Sequence, residues 1–338
     1  MQLLGYRLDL EPVLEQIREK GYKLIGLQFP DGLRDFYGEV SQAVEAATGA
    51  QTVISADPSY GACDLADDEL VKIRADCLIH FAHTAMPHLT KFERIPVYFV
   101  RAEATYDVLP TVERALPSLT GRKIGLLGTT QHLHRLGEVA DLLRSRGYEP
   151  LLVQGDARVA TAGQVLGCNY TSASVDADSY LYVGSGNFHP LGLALNTEKP
   201  IVCADPYNGE VRTMDEERQR FLKQRYGAIA SIRDAKTFAV LASSKQGQLR
   251  WNMAQALKRR IEKRGRKAYL LLIKQFAPEY LVNFRHVDAF VSTACPRVAI
   301  DDYGRYPKPI VTPIELEMAL GDRPLDDYRL DEIYGTSI

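Results

Sequence analysis

The chain has 338 residues, 46% hydrophobic and 25% charged, with a formal net charge of −2; it is long enough to bury a sizeable core and to form two or three domains. That near-neutral balance excludes a global electrostatic pull toward nucleic acid or an anionic membrane, so no direct nucleic-acid contact is expected. No apolar run approaches the length of a membrane span, and the opening MQLLGYRLDLEPVLEQIREKGYK passes straight into an amphipathic pattern with acidic residues rather than a signal peptide, so a cytoplasmic location is expected.

In chain order, the first predicted elements are a helix running into a short apolar strand in LEPVLEQIREKGYKLIGLQFPDG, followed by a helix candidate and a second strand in QTVISADP. A third strand begins after Asp76 in ADCLIHFAHTAMPH, and a fourth opens at Pro96 in IPVYFV. The same series returns twice. It reads LPTVERALPSLTGRKIGLLGTTQ, EPLLVQGD, ADSYLYVGSGNFHP after Asp178 and KPIVCAD at Pro200. It then reads DEERQRFLKQRYGAIASIRDAKTFAVLASSKQ, KAYLLLIK, VDAFVSTACPRVAI after Asp288 and KPIVTP at Pro309. Three features at similar spacing in three copies mark an internal repeat. Short continuous apolar strands separated by helical segments predict parallel sheets covered on both faces. The expected fold class is therefore α/β, with three small Rossmann-like parallel-sheet domains over 1–104, 105–213 and 214–338.

In such sheets ligands sit outside the carboxyl ends of the strands, so the residues just after each strand matter most. Seven positions after the three aspartates stand His83, Ser185 and Cys295. The five cysteines, at 63, 77, 168, 203 and 295, are too scattered for a disulfide framework, and there is no CxxC or CxxxCxxC. Cys77 falls inside a strand and Cys203 ends one; both read as small buried hydrophobes. Cys63, Cys168 and Cys295 lie one per repeat on the carboxyl-end side. Two readings stay open: three unrelated cysteines, or three thiolates converging about a pseudo-threefold axis. In the second, three sulfur ligands with an open fourth position suit an iron–sulfur cluster better than a closed structural zinc.

The three-unit layout with one cysteine per unit, together with DPSYGACD, GSGNFHPLG and STACPRVAIDD, resembles the archaeal 2-(3-amino-3-carboxypropyl)histidine synthase family, which acts first in diphthamide biosynthesis. The resemblance spans essentially the whole chain. It implies a transferase that is a homodimer, with a 4Fe-4S cluster in each subunit held by Cys63, Cys168 and Cys295 and S-adenosylmethionine at the fourth iron. It further implies that an electron donor reduces the cluster, which cleaves the bond from the sulfonium to the γ-carbon. The resulting 3-amino-3-carboxypropyl radical adds to C2 of a histidine imidazole on translation elongation factor 2, and methylthioadenosine is released. The protein's task in that chemistry is to aim the γ-carbon.

Residues expected to serve that task follow from charge and position. The cofactor's carboxylate calls for a fixed cation or backbone amides: Arg285 in NFRHVDAF, and the SSKQGQ turn with Lys245, Gln246 and Gly247. Ser185, Gly186 and Asn187 occupy the functional edge of the second repeat, and His189 is placed to accept the proton lost from the target imidazole. His80 and His83 form an HxxH pair, but strand alternation sets them on opposite faces and argues against a shared ion. The basic run LKRRIEKRGRK reads as a solvated helix end, and the single Trp251 as core or a dimer contact. Two rival functions remain: a quinolinate-synthase-like 4Fe-4S dehydratase, which resembles the same plan, and a metal-free α/β ligand-binding module whose cysteines only pack.

Overall fold

A computed structural model describes residues 1–334. β1 (Gln2–Leu3) and β2 (Tyr6–Leu8) form a short antiparallel pair, and the helix Glu11–Lys20 follows, with Pro12 in its first turn and Arg18 and Lys20 in its last. The first parallel sheet then builds from β3 (Leu24–Gln28), β4 (Gln51–Ile54), β5 (Cys77–Phe81) and β6 (Val97–Val100), in the order β4-β3-β5-β6. β7 (Ala102–Ala104) returns antiparallel to β2 and completes a small three-stranded sheet that the sequence did not suggest.

The second sheet comprises β8 (Lys123–Gly128), β9 (Glu149–Leu151), β10 (Ser179–Val183), β11 (Ile201–Asp205) and β12 (Glu210–Thr213), in the order β12-β11-β10-β8-β9. The third comprises β13 (Thr237–Ser243), β14 (Lys267–Ile273), β15 (Ala289–Ser292) and β16 (Ile310–Val311), in the order β14-β13-β15-β16. The three larger sheets thus repeat one strand order, second-first-third-fourth, to which the second sheet adds β12 beside β11. The middle strands β5, β10 and β15 are buried along their whole length, as the continuous apolar runs require.

The repeated aspartates have a structural task. Asp76 Oδ2 accepts the backbone N–H groups of Lys23 (2.6 Å) and Leu24 (2.9 Å). Asp178 Oδ2 takes those of Arg122 (2.7 Å) and Lys123 (2.8 Å), and Asp288 Oδ2 those of Lys236 (2.9 Å) and Thr237 (2.8 Å). One carboxylate thereby ties the start of the third strand to the start of the first in every repeat. These two backbone bonds hold the Asp76 carboxyl below its ordinary pKa.

By compactness the chain divides into two units. One contains residues Met1–Val165, Thr171–Gly186 and Val202–Arg212; the other contains Leu166–Tyr170, Asn187–Ile201 and the chain from Thr213 onward. The first unit holds the first two parallel sheets, with separate cores around Ile25, Leu27, Ile79 and Phe81 and around Ile124, Leu126, Leu181 and Val183. The second holds the third sheet, cored by Phe238, Val240, Val291, Leu257 and Leu316, and also the helix Phe188–Asn196, which connects β10 to β11. Among the described residues, no helix is long and apolar enough to cross a membrane.

The basic run is not a bare patch. It ends the helix Trp251–Glu262, as expected, but Arg260 pairs with Glu317 (2.5 Å) and Asp322 (3.3 Å), and Arg264 also pairs with Asp322.

Candidate functional site

In the first unit, Cys63 lies on the loop between β4 and the short helix Asp67–Leu70. Gln28, the last residue of β3, holds that loop from beneath: its Nε2 donates to the Asp64 carbonyl (2.8 Å) and its Oε1 accepts the Ala66 N–H (3.1 Å). The loop also closes on itself through the Tyr60 N–H, which donates to Asp64 Oδ2 (3.1 Å).

His80 and His83 are not on opposite faces. β5 ends at Phe81, and Ala82 then adopts φ 65°, a left-handed conformation that costs an alanine on the order of 1 kcal/mol. That turn brings the rings together, with His80 Nε2 2.8 Å from His83 Nδ1, while His80 Nδ1 lies 2.8 Å from Gln28 Oε1. Burial, with His83 adjacent, depresses the His80 pKa well below its ordinary value, and burial lowers that of His83 to about 4. The facing nitrogens of the two rings are engaged with each other, and the strand alternation on which the sequence reading rested does not apply here. A Cβ at Gly61 would stand 4.0 Å from Cys63 Sγ and 4.0 Å from both His83 Cδ2 and Nε2, so the loop cysteine and that edge of the histidine ring both lie beside Gly61.

Also in the first unit, a cavity of about 170 Å³ opens beyond the ends of β3, β5, β8 and β10; Ser185, Thr129, His132, Gln131 and Tyr207 are among its lining residues. Gly186, with φ 75°, uses its carbonyl to accept Arg212 Nη2 (3.0 Å).

The second unit brings Cys168 and Cys295 together. Cys168 sits in the tight turn between Leu166 and Asn169, whose backbones bond in both directions. The preceding Gly167 has to be glycine, because a Cβ there would lie 2.3 Å from the Phe188 ring. Cys295 is the third residue after β15 and stands at the N-cap position of the short helix Pro296–Ile300. Burial first, and Cys168 as a second acidic group within electrostatic reach, together push the Cys295 thiol up to about 12. Phe188 joins the two segments: Arg297 lies 4.7 Å over its ring, and His189 packs edge-on at 5.6 Å. Arg297 is itself steered by Asp301 (2.6 Å).

Two buried arginines hold the Cys295 segment. Arg250 Nε donates to the Thr293 carbonyl (2.6 Å) and Nη2 to that of Ala294 (3.2 Å), while its guanidinium pairs with Asp331 (2.5 Å). Arg225 Nη1 donates to the Ala299 carbonyl (2.9 Å) and pairs with Glu315 (2.7 Å). Gln248 Oε1 faces the Cys295 N–H at 3.4 Å.

The expected residues thus separate. Cys168 and Cys295 share one locus, His189 meets the ring of the neighbouring Phe188, and the turn Gln246–Gln248 reaches Cys295 through Gln248 rather than through Gln246 or Gly247. Lys245 turns to Gln275 (3.4 Å). Asn187 begins the helix Phe188–Asn196 without a side-chain cap bond. Arg285 is exposed in the turn before β15, at the amino end of the strand whose carboxyl end leads to Cys295. Cys77 and Cys203 are buried in β5 and β11, as their strand positions predict. Among the described residues no group of three or more His, Cys, Asp or Glu side chains forms a metal-holding set. Sequence reasoning did not single out Gln28, Phe188, Gln248, Arg250 or Arg297, although Phe188, Gln248 and Arg297 lie inside the quoted stretches GSGNFHPLG, SSKQGQ and STACPRVAIDD.

A family model described as "putative diphthamide synthesis protein" matches residues 29–329. A Pyrococcus horikoshii protein named 2-(3-amino-3-carboxypropyl)histidine synthase is 38% identical over 98% of this chain and 94% of its own length. The Saccharomyces cerevisiae protein named as subunit 1 of that synthase is 28% identical over 94% of this chain and 75% of its own. Crystal structures of Dph2 from Pyrococcus horikoshii, one of them with a 4Fe-4S cluster, match at 36% identity over 98% of this chain and 95% of theirs, with TM-scores of 0.89 and 0.90. The chain belongs to the diphthamide synthesis protein family.

Proposed function

We propose that the chain transfers the 3-amino-3-carboxypropyl group of S-adenosylmethionine to C2 of a histidine imidazole on translation elongation factor 2, releasing methylthioadenosine. The observation that carries this reading is the match to the synthase from Pyrococcus horikoshii, 38% identical over 98% of the chain.

The side chains suit a cluster. Cys168 and Cys295 are thiols in mutual electrostatic reach, one buried to the point that its proton is held up to about 12, and a cationic metal centre reverses that preference. Cys63 supplies the third sulfur from a loop pinned by Gln28. When bound, a 4Fe-4S cluster supplies the electron that breaks the bond between sulfur and the γ-carbon. The chain's own residues do the rest. Arg250 and Arg225 fix the Cys295 segment on either side of the thiol, and Phe188 spaces the Cys168 turn from Arg297. Arg297 suits the cofactor's carboxylate better than Arg285, which lies at the wrong end of its strand. Ser185, Gly186, Asn187, Gln246 and Gly247 are the proposed further contacts, and His189 the acceptor of the imidazole proton.

The same reading takes the three sheets as domains over 1–104, 105–213 and 214–338, set pseudo-symmetrically around the cluster. It includes a cytoplasmic homodimer that meets elongation factor 2 and an electron donor. The test is anaerobic protein with an intact cluster, dithionite and S-adenosylmethionine: methylthioadenosine is the expected product, and its absence overturns the assignment. A colourless, iron-free preparation made anaerobically favours the metal-free module instead.

A further inference from the structure

The hydrogen bonds beneath the Cys63 loop determine where the protons sit on two buried histidines. The Ala66 backbone N–H is a donor only, so the Gln28 atom it meets at 3.1 Å is the amide oxygen, and the other end of that amide donates to the Asp64 carbonyl at 2.8 Å. The same Oε1 lies 2.8 Å from His80 Nδ1. An amide oxygen accepts only, so His80 Nδ1 carries the proton. His80 is fully buried and neutral, so its Nε2 is bare. That bare nitrogen lies 2.8 Å from His83 Nδ1, which therefore carries the next proton and leaves His83 Nε2 bare in turn. Both rings hold the Nδ1–H form.

His80 is sealed, whereas His83 keeps a solvent-reachable face, and no protein group among the described residues hydrogen-bonds its Nε2. Cys63 Sγ lies beside the same glycine, Gly61, as His83 Nε2 does. Once Cys63 is a thiolate ligand it has no S–H to offer, so the pair presents two acceptors and no donor. That surface selects a ligand rich in N–H. The amino-acid end of S-adenosylmethionine carries an α-ammonium three bonds from the carbon that is transferred, and a cationic donor on a neutral acceptor makes a charge-assisted bond.

We propose that His83 Nε2 accepts a hydrogen bond from the α-ammonium of S-adenosylmethionine, with Gln28 and His80 as positioning residues that hold the lone pair toward it. This rests on the activity proposed above and on Cys63 as a ligand. It explains why an alanine is kept in the left-handed region at position 82: without that turn His83 follows the strand and loses His80. The ammonium is thereby read by a side chain with no charge of its own, which leaves the carboxylate to a cation elsewhere.

The test compares equilibrium binding of S-adenosylmethionine and of its deamino analogue to cluster-loaded, unreduced protein, so that nothing turns over. Wild type is expected to bind S-adenosylmethionine about tenfold or more tightly than the analogue, the range of one hydrogen bond to a charged group. His83→Ala is expected to bind the two nearly alike. General damage to the loop weakens both ligands equally and leaves the ratio intact, so an unchanged ratio in His83→Ala overturns the proposal. Nitrogen NMR of the wild type, labelled at histidine and free of metal, supplies a check that needs no variant: both rings are expected in the Nδ1–H form, and an Nε2–H form at His83 overturns it. Normal binding with impaired transfer to elongation factor 2 also overturns it, in favour of a contact with the target imidazole. Release of methylthioadenosine by wild type is scored separately and tests only the proposed activity.

Discussion

The buried pair Arg250–Asp331 makes a demanding test of how the Cys295 segment is held. Arg250 is 3% exposed and Asp331 4%, and the guanidinium serves the carboxylate and the carbonyls of Thr293 and Ala294, the two residues before the thiol. Arg250→Met leaves a buried carboxylate without its cation, a loss of ~3–5 kcal/mol. The two carbonyls lose donors as well, at ~1–3 kcal/mol each if nothing replaces them, although shared relaxation keeps these costs from adding in full. A total of about 5 kcal/mol is expected. Asp331→Leu added to Arg250→Met removes the orphaned charge and is expected to restore ~2–3 kcal/mol. The single Trp251, next to Arg250 and packed on the same core, reports denaturant unfolding of this unit by fluorescence. In parallel, alkylation of Cys295 in metal-free protein is expected to speed up in the single variant and slow again in the double. If Arg250→Met costs under ~1 kcal/mol and the two changes simply add, the clamp is not what holds the ligand segment.

Further expectations follow from other residues. Alanine at Cys63, Cys168 or Cys295 is expected to abolish the cluster's absorbance and its iron, while alanine at Cys77 or Cys203 leaves both; a cluster retained without Cys168 refutes the ligand set. The lowered pKa of Asp76 means that its stabilisation is present above the ordinary carboxylate pKa and is lost as pH falls through the folded value. Asp76→Asn is therefore expected to cost stability at pH 7 and to flatten the acid side of the stability curve, which melting between pH 2 and 7 measures. Ala82→Gly relieves a left-handed alanine and is expected to be neutral or stabilising by up to ~1 kcal/mol, whereas Ala82→Val is expected to destabilise by more than that. A valine variant that melts like wild type contradicts the strained turn.

What could be read in the sequence was what repeats. The third strand of each sheet starts at an aspartate because one carboxylate there accepts two backbone N–H groups from the first strand. That geometry has a fixed spacing and so leaves a mark in the sequence. The cysteines were sorted the same way, by the end of the strand on which each falls. Residues that act through tertiary contact leave no such mark. Phe188 sits between Gly167 and Arg297, and neither the apolar residue nor the cation announces the other. Asp331 lies beyond residues 29–329, the part matched by the family model, yet reaches back to Arg250.

The histidine pair shows the limit most clearly. Alternation along a strand sends residues three apart to opposite faces, and the rule fails only because β5 stops at Phe81 and Ala82 turns left-handed. Alanine gives no hint of that conformation, for which glycine or asparagine is the usual signal. The strain at position 82 is held in place by the bonds from Gln28 through His80 to His83 that it permits. A local rule therefore breaks where a chain of side chains has a use for the break, and the break lies beside one of the three cysteines proposed to carry the chemistry.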